Sequence, residues 1–163
     1  MSSEQPPPIS LSERRRRQAL VQEIAAKFGF RGQAEYRHIF SQSGGAQFEL
    51  GSRMGLDVLT VYAEAFLRDS NSDDFSLNAI LAHECGHQLV FRHPKLSRCL
   101  QGKVTPLSEE ALASLIGSLL VSDVDDHNNL TMKSICDVVN CGVETSRAHK
   151  LILSVRSVLE AIL

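Results

Sequence analysis

The densest chemistry in the chain lies in five consecutive residues, His83-Glu84-Cys85-Gly86-His87, an H-E-x-x-H string. On a helix, residues four apart sit one turn apart on the same face, so both imidazoles can address one cation. Zinc takes imidazole nitrogen at about 2.0–2.1 Å, and two rings one turn apart reach it without distorting the backbone. Glu84 is turned by about 100° around the helix, which sets it beside the ion rather than on it. Zinc lowers the pKa of a water it holds towards about 7, and Glu84 is placed to take that proton as general base.

A catalytic zinc needs a third protein ligand and keeps one position open. His93 follows His83 at the spacing of the longer H-E-x-x-H-x-x-G-x-x-H motif. Val90 stands where that motif turns on a Gly, and a β-branched residue resists positive φ. His93, just before Pro94, reads rather as a helix-end residue near the negative pole of the dipole. The other source is Ser108-Glu109-Glu110-Ala111-Leu112-Ala113-Ser114-Leu115-Ile116-Gly117, where a carboxylate on a second helix facing the first would complete a His2Glu site. Small Ala113, Ser114 and Gly117 lie on the face of Glu110 and permit close approach of two helices. Glu109 lies above Leu112, Ala113 and Ile116, so it also looks inward, and either acid suits the first turn of a helix.

These residues need elements to hold them. Ser10-Leu11-Ser12-Glu13 has the form of a capping box, and Leu20, Val21, Ile24, Ala25 and Phe28 follow at helical spacing up to Gly29. Alternation at Tyr36, His38 and Phe40, a turn at Ser43-Gly44-Gly45, and alternation again at Ala46, Phe48 and Leu50 predict a β-hairpin. Gly51 to Gly55 reads as a loop, and Val58 to Tyr62 as a third strand. Asp69 to Asp74 is a polar loop ahead of a helix from about Ser76 to Phe91 that carries the metal motif. Further helices are expected from Ser108 through Leu120, near Leu130–Val139 and over Thr145–Leu163, with Val121 to Asn129 as a polar loop. Strands first and helices after them indicate an α+β domain.

A length of 163 residues favours one domain, here residues 10–163 behind a Pro- and Ser-rich tail at 1–9 that is expected to be disordered. Hydrophobic residues make up 43%, and with aromatics at 6% and no Trp the core must be Leu, Val, Ile and Ala. A net charge of −2 leaves no general footprint for a phosphate backbone or an anionic membrane, so neither nucleic acid nor membrane is an expected partner. The run Arg14–Arg17 reads as a solvated helix face, with contact to a nucleic acid or an acidic partner as its alternative. No charged-then-apolar leader stands at the N-terminus. Cys85, Cys99, Cys136 and Cys141 are few for a disulfide scaffold, so reduced thiols and a cytoplasmic location are expected. Cys85 reads as a small buried residue.

The run Glu110-Ala111-Leu112-Ala113-Ser114-Leu115-Ile116-Gly117 resembles the glutamate helix of gluzincin metallopeptidases, whose thermolysin form is E-A-x-x-D-x-x-G. By that resemblance Glu110 is the third ligand, Gly117 the close-packing position, and Ser114 stands where thermolysin has an Asp that orients a metal-binding His. Leu77-Asn78-Ala79-Ile80-Leu81-Ala82-His83-Glu84-Cys85-Gly86-His87 is most similar to the small ImmA/IrrE-like metallopeptidases, over about residues 56–121. The resemblance implies a zincin-like fold: a small mixed or antiparallel sheet packed on the H-E-x-x-H helix and the glutamate helix, with extra C-terminal helices. It implies one Zn2+ held by His83, His87 and Glu110. The implied reaction is peptide-bond hydrolysis with Glu84 as general base, on a peptide or a specific protein substrate. A non-catalytic zincin-fold binding module is the alternative. Val58–Tyr62 or the hairpin would present the edge that pairs with an extended substrate. Tyr62, His127, Arg147 and His149 are candidate oxyanion donors.

Overall fold

The computed structural model describes residues 4–41, 44–67, 75–96 and 107–163. Helix α1 (Leu11–Lys27) opens where Ser10 Oγ accepts from Glu13 N–H at 3.0 Å. The Glu13 carboxylate turns away from the cap and pairs with Arg16 and Arg17. The guanidinium of Arg17 lies 4.8 Å from the Phe66 ring centre and donates to Tyr36 Oη at 2.8 Å. Part of the arginine run therefore holds α1 to the sheet. Residues 4–10 carry neither helix nor strand, yet Pro6 is buried and the Pro7 carbonyl lies 2.7 Å from His38 Nε2.

Three strands follow, β1 (Gln33–Arg37), β2 (Ala46–Arg53) and β3 (Leu56–Tyr62), in the sheet order β1-β3-β2. β3 pairs parallel with β1 and antiparallel with β2. The hairpin expected between the first two strands is thus β2–β3, and β1 lies on the far side of β3. Its turn is Met54-Gly55, both at positive φ, the conformation that matches strand twist in a two-residue hairpin. Gly51 to Arg53, read from sequence as a loop, belongs to β2, with an irregularity of register between Glu49 and Arg53. β3 is central, with Leu59 and Val61 fully buried, so Val58–Tyr62 offers no edge to a substrate.

The two outer edges differ. Along β1, the Gln18 side chain of α1 donates to the Ala34 carbonyl and accepts from Tyr36 N–H, at 3.2 and 2.7 Å. One amide thereby satisfies backbone groups that an added strand would need. The outer edge of β2 faces the cleft described below.

A short 3-10 turn (Ala63–Phe66) ends the sheet region. Helix α2 (Leu77–Arg92) is capped by Ser76, whose Oγ accepts from Ala79 N–H at 3.1 Å. The same hydroxyl donates to Asp126 Oδ1 at 2.6 Å. Helix α3 (Glu109–Leu120) starts at Ser108. Helix α4 (Val124–Asn140) begins well before the expected Leu130, because Asp123 accepts from Asp125 N–H and Asp126 N–H. The acids that suggest a loop are its cap and first turn. Helix α5 (Thr145–Ile162) closes the chain. Among the described residues no helix is long and apolar enough to cross a membrane.

The fold is mixed α+β, with α2 at its centre. One face of α2 places Leu81 and Cys85 in a core with Val21, Leu59 and Val61. The opposite face meets α3, whose Leu115 and Ile116 share a second core with Val138, Ile152 and Leu159 of α4 and α5. Near its end, α2 is tied to the sheet by Asp57, which is buried and accepts from Gln88, Arg92 and Gly51 N–H. The Arg92 guanidinium and these neighbours hold the Asp57 carboxyl at a pKa of about 2, below its usual value. The expected loop at Asp69–Asp74 and Cys99 lie outside the described residues.

Candidate metal centre

Gly86 and Gly117 determine how closely α2 and α3 cross. A Cβ on Gly86 would stand 2.3 Å from the Ala113 carbonyl oxygen, and one on Gly117 3.0 Å from Ala82 backbone. Backbone therefore packs on backbone, and side chains beside the crossing are brought to contact distance. His83 and His87 project from α2 into this space, and Glu109 and Glu110 project from the first turn of α3.

Nε2 of His83 lies 3.0 Å from Glu110 Oε2, and Nε2 of His87 lies 3.2 Å from Glu110 Oε1. The two Nε2 atoms are 3.1 Å apart. Ligand atoms about 2.05 Å from a tetrahedral ion are about 3.3 Å from one another, so these separations fit the edges of a zinc-sized site. The other ring nitrogens are held as well. Nδ1 of His87 is 2.8 Å from Glu109 Oε1, and a carboxylate only accepts, so this Nδ1 carries hydrogen. Nδ1 of His83 is 2.9 Å from Ser114 Oγ, which can accept in the same way. In the neutral rings both Nε2 lone pairs then point at a carboxylate, three electron-rich groups facing one another. Such a triangle is stabilised by a cation or a proton at its centre.

Glu84 lines the same cleft, and one of its carboxylate oxygens is within 4.8 Å of the imidazole nitrogens. Burial raises its pKa, against the pull of His83 and His87, and the Phe48 backbone N–H donates to it. Burial lowers the pKa of His87, but the Glu110 hydrogen bond and nearby carboxylates outweigh it and raise the value. Glu110 is shifted down by its hydrogen bonds to His83 and His87. The Cys85 thiol is turned into the core, where burial pushes its pKa up to about 12.

His83, Glu84, His87 and Glu110 are thus brought together at one cleft of about 420 Å³ between α2 and the outer edge of β2. Glu109 reaches His87 Nδ1 rather than the Nε2 triangle. His93 caps α2 and lines a separate cavity with Asp57 and Arg92. None of the candidate oxyanion donors lines the cleft: Tyr62 donates to Gln47, which does, His127 Nδ1 bonds the Ser118 carbonyl, and Arg147 and His149 are exposed on α5. Sequence reading missed Lys133, which lines the cleft from α4. The helical spacing of Asp126, Leu130 and Lys133 was the available signal, hidden while the segment before Leu130 read as a loop. It also missed Gly86, because the motif leaves that position free. Comparison of the chain with protein-family models, with curated proteins and with solved structures finds no match.

Proposed function

We propose that the chain is a zinc-dependent metallopeptidase of gluzincin type, with His83, His87 and Glu110 as the ligands of one zinc ion. The observation that carries this reading is the Nε2–Nε2–carboxylate triangle, with separations of 3.0 to 3.2 Å and the half-buried Glu84 carboxyl at its side. Bound there, zinc supplies Lewis acidity to a substrate carbonyl and to the attacking water.

The remaining work belongs to the chain. Glu109 and Ser114 hold the two imidazoles with Nε2 forward. Glu84 takes a proton from the water as it attacks the peptide carbonyl carbon, and returns it to the departing amine nitrogen as the C–N bond breaks. Its raised pKa brings it nearer the working range of a group that must both accept and donate. The outer edge of β2, apart from the Phe48 N–H that donates to Glu84, supplies backbone donors and acceptors for an extended peptide, and the Gln18 amide across the β1 edge favours β2 for that purpose.

Two measurements test this. Protein purified without chelator should hold about one zinc per chain, the stoichiometry of a single closed triangle. Glu84→Gln should keep that zinc and lose peptide hydrolysis by about a hundredfold or more, the range for general acid–base catalysis starting there. A folded chain that neither holds nor takes up zinc, or a Glu84→Gln variant that cleaves as fast as wild type, rejects the proposal.

A further inference from the structure

Resting on the peptidase reading, we propose that Lys133 reads a carboxylate on the leaving-group side of the substrate. The direction of the cleft comes from β2. Its Gly51 end lies against the C-terminal end of α2, because Asp57 accepts from Gly51 N–H at 2.8 Å and also from Gln88 and Arg92. β2 therefore runs in the direction of α2, with Ala46 towards the N-terminal half of the helix and Phe48 level with Glu84. A peptide added antiparallel to β2, the more stable ladder, has its C-terminal half at the Ala46 end.

That end is where α4 enters. Ser76, the cap of α2, donates to Asp126 at 2.6 Å, and Leu130 and Lys133 follow Asp126 at helical spacing on the same side of α4. Leu130 is buried in the core with Ala79 and Ile80, and Lys133 lines both this cleft and an adjoining hollow that it shares with Asp137. Lys133 is the only lysine or arginine among the described residues that line this cleft, against the three carboxyls of Glu84, Glu109 and Glu110. Its side chain is 27% exposed, and its ion pair with Asp137 spans 3.7 Å. Asp137 Oδ2 has no hydrogen-bond partner. The ammonium is thus half-sheltered, loosely held and still able to donate. A carboxylate placed there escapes the repulsion it would meet beside the glutamates. The carboxylate can be the substrate's own C-terminus or the side chain of an Asp or Glu just after the scissile bond.

The experiment uses three peptides with an N-terminal hydroxamate to hold the zinc, titrated calorimetrically into zinc-loaded protein. They are identical except that one ends in a carboxylate, one in a carboxamide, and one in a carboxamide with an Asp side chain. The expected result is that one acidic peptide binds at least about tenfold tighter than the neutral one, as a charged hydrogen bond provides. Lys133→Met, which keeps the apolar stem, should remove the preference, and Lys133→Arg should restore most of it. The acidic peptide that wins identifies chain-end or internal cleavage. Equal binding of all three, or a preference that survives Lys133→Met, overturns the role of Lys133 and leaves the metal centre standing. Failure of every hydroxamate to bind overturns both.

Discussion

At the scale of single residues, the site separates two adjacent acids by role. Glu110 faces both Nε2 atoms and Glu109 faces Nδ1 of His87. Outer partners of metal-bound imidazoles typically contribute 10- to 100-fold in affinity. Glu109→Ala and Ser114→Ala should each weaken zinc binding by about tenfold or more, read by competition with a chromogenic chelator. Glu109→Gln should lose less, since its amide oxygen still accepts from Nδ1–H. Glu110→Ala should lose the most, as it removes the carboxylate that lies against both Nε2 atoms. Equal losses for Glu109→Ala and Glu110→Ala would show that the two carboxylates share one role. The convergence of His83 and His87 was legible because i, i+4 spacing maps directly onto a helix face. Spacing alone left Glu109 and Glu110 both open, since their division depends on the angle at which α3 meets α2, and only the resemblance to the glutamate helix pointed to Glu110.

At the scale of elements, that angle rests on two glycines. Adding a methyl group at Gly86 places it 2.3 Å from a backbone oxygen of Ala113, which no side-chain rotation relieves. Gly86→Ala should therefore cost about 2 kcal/mol or more and weaken zinc binding together with stability, because separating the helices opens the Nε2–carboxylate triangle. Gly117→Ala, with contacts of 3.0 to 3.1 Å, should show the same pairing of effects at smaller size. Denaturant midpoints and chelator competition on both variants check this; a Gly86→Ala protein as stable as wild type would show that the crossing has slack. Helices with clear caps and apolar periodicity were read almost to their ends. Strand pairing was not, because alternation reports that a strand is half-buried and says nothing about its neighbour. The Gly44-Gly45 signal suggested a hairpin between β1 and β2, whereas the chain crosses to the far side of the sheet and makes its hairpin at Met54-Gly55. Met is a rare choice at positive φ, so the turn carries half of its usual signature.

At the scale of the whole molecule, the order of strands and helices was enough to predict α+β. The long-range ties that join sheet to helix were not visible in any local pattern. Asp57 is the clearest of them: it bonds β2, Gln88 and Arg92 together, residues far apart in sequence. Its folded pKa of about 2 lies below the ordinary 3.8, so folding favours the ionised form. The stability this contributes is fully present above the unfolded value and is lost as pH falls from near 4 through 2. A depression of that size corresponds to at most about 2.5 kcal/mol, reduced by the solvent exposure of Arg92. Asp57→Asn should therefore lower the urea midpoint at pH 7, and the gap to wild type should narrow steadily as pH drops from 5 to 2.5. The comparison of the two proteins cancels the contributions of the groups common to both. A gap independent of pH would show that Asp57 acts through packing rather than charge. Loss of zinc binding in Asp57→Asn without loss of stability would show that it instead sets the position of β2 over the cleft.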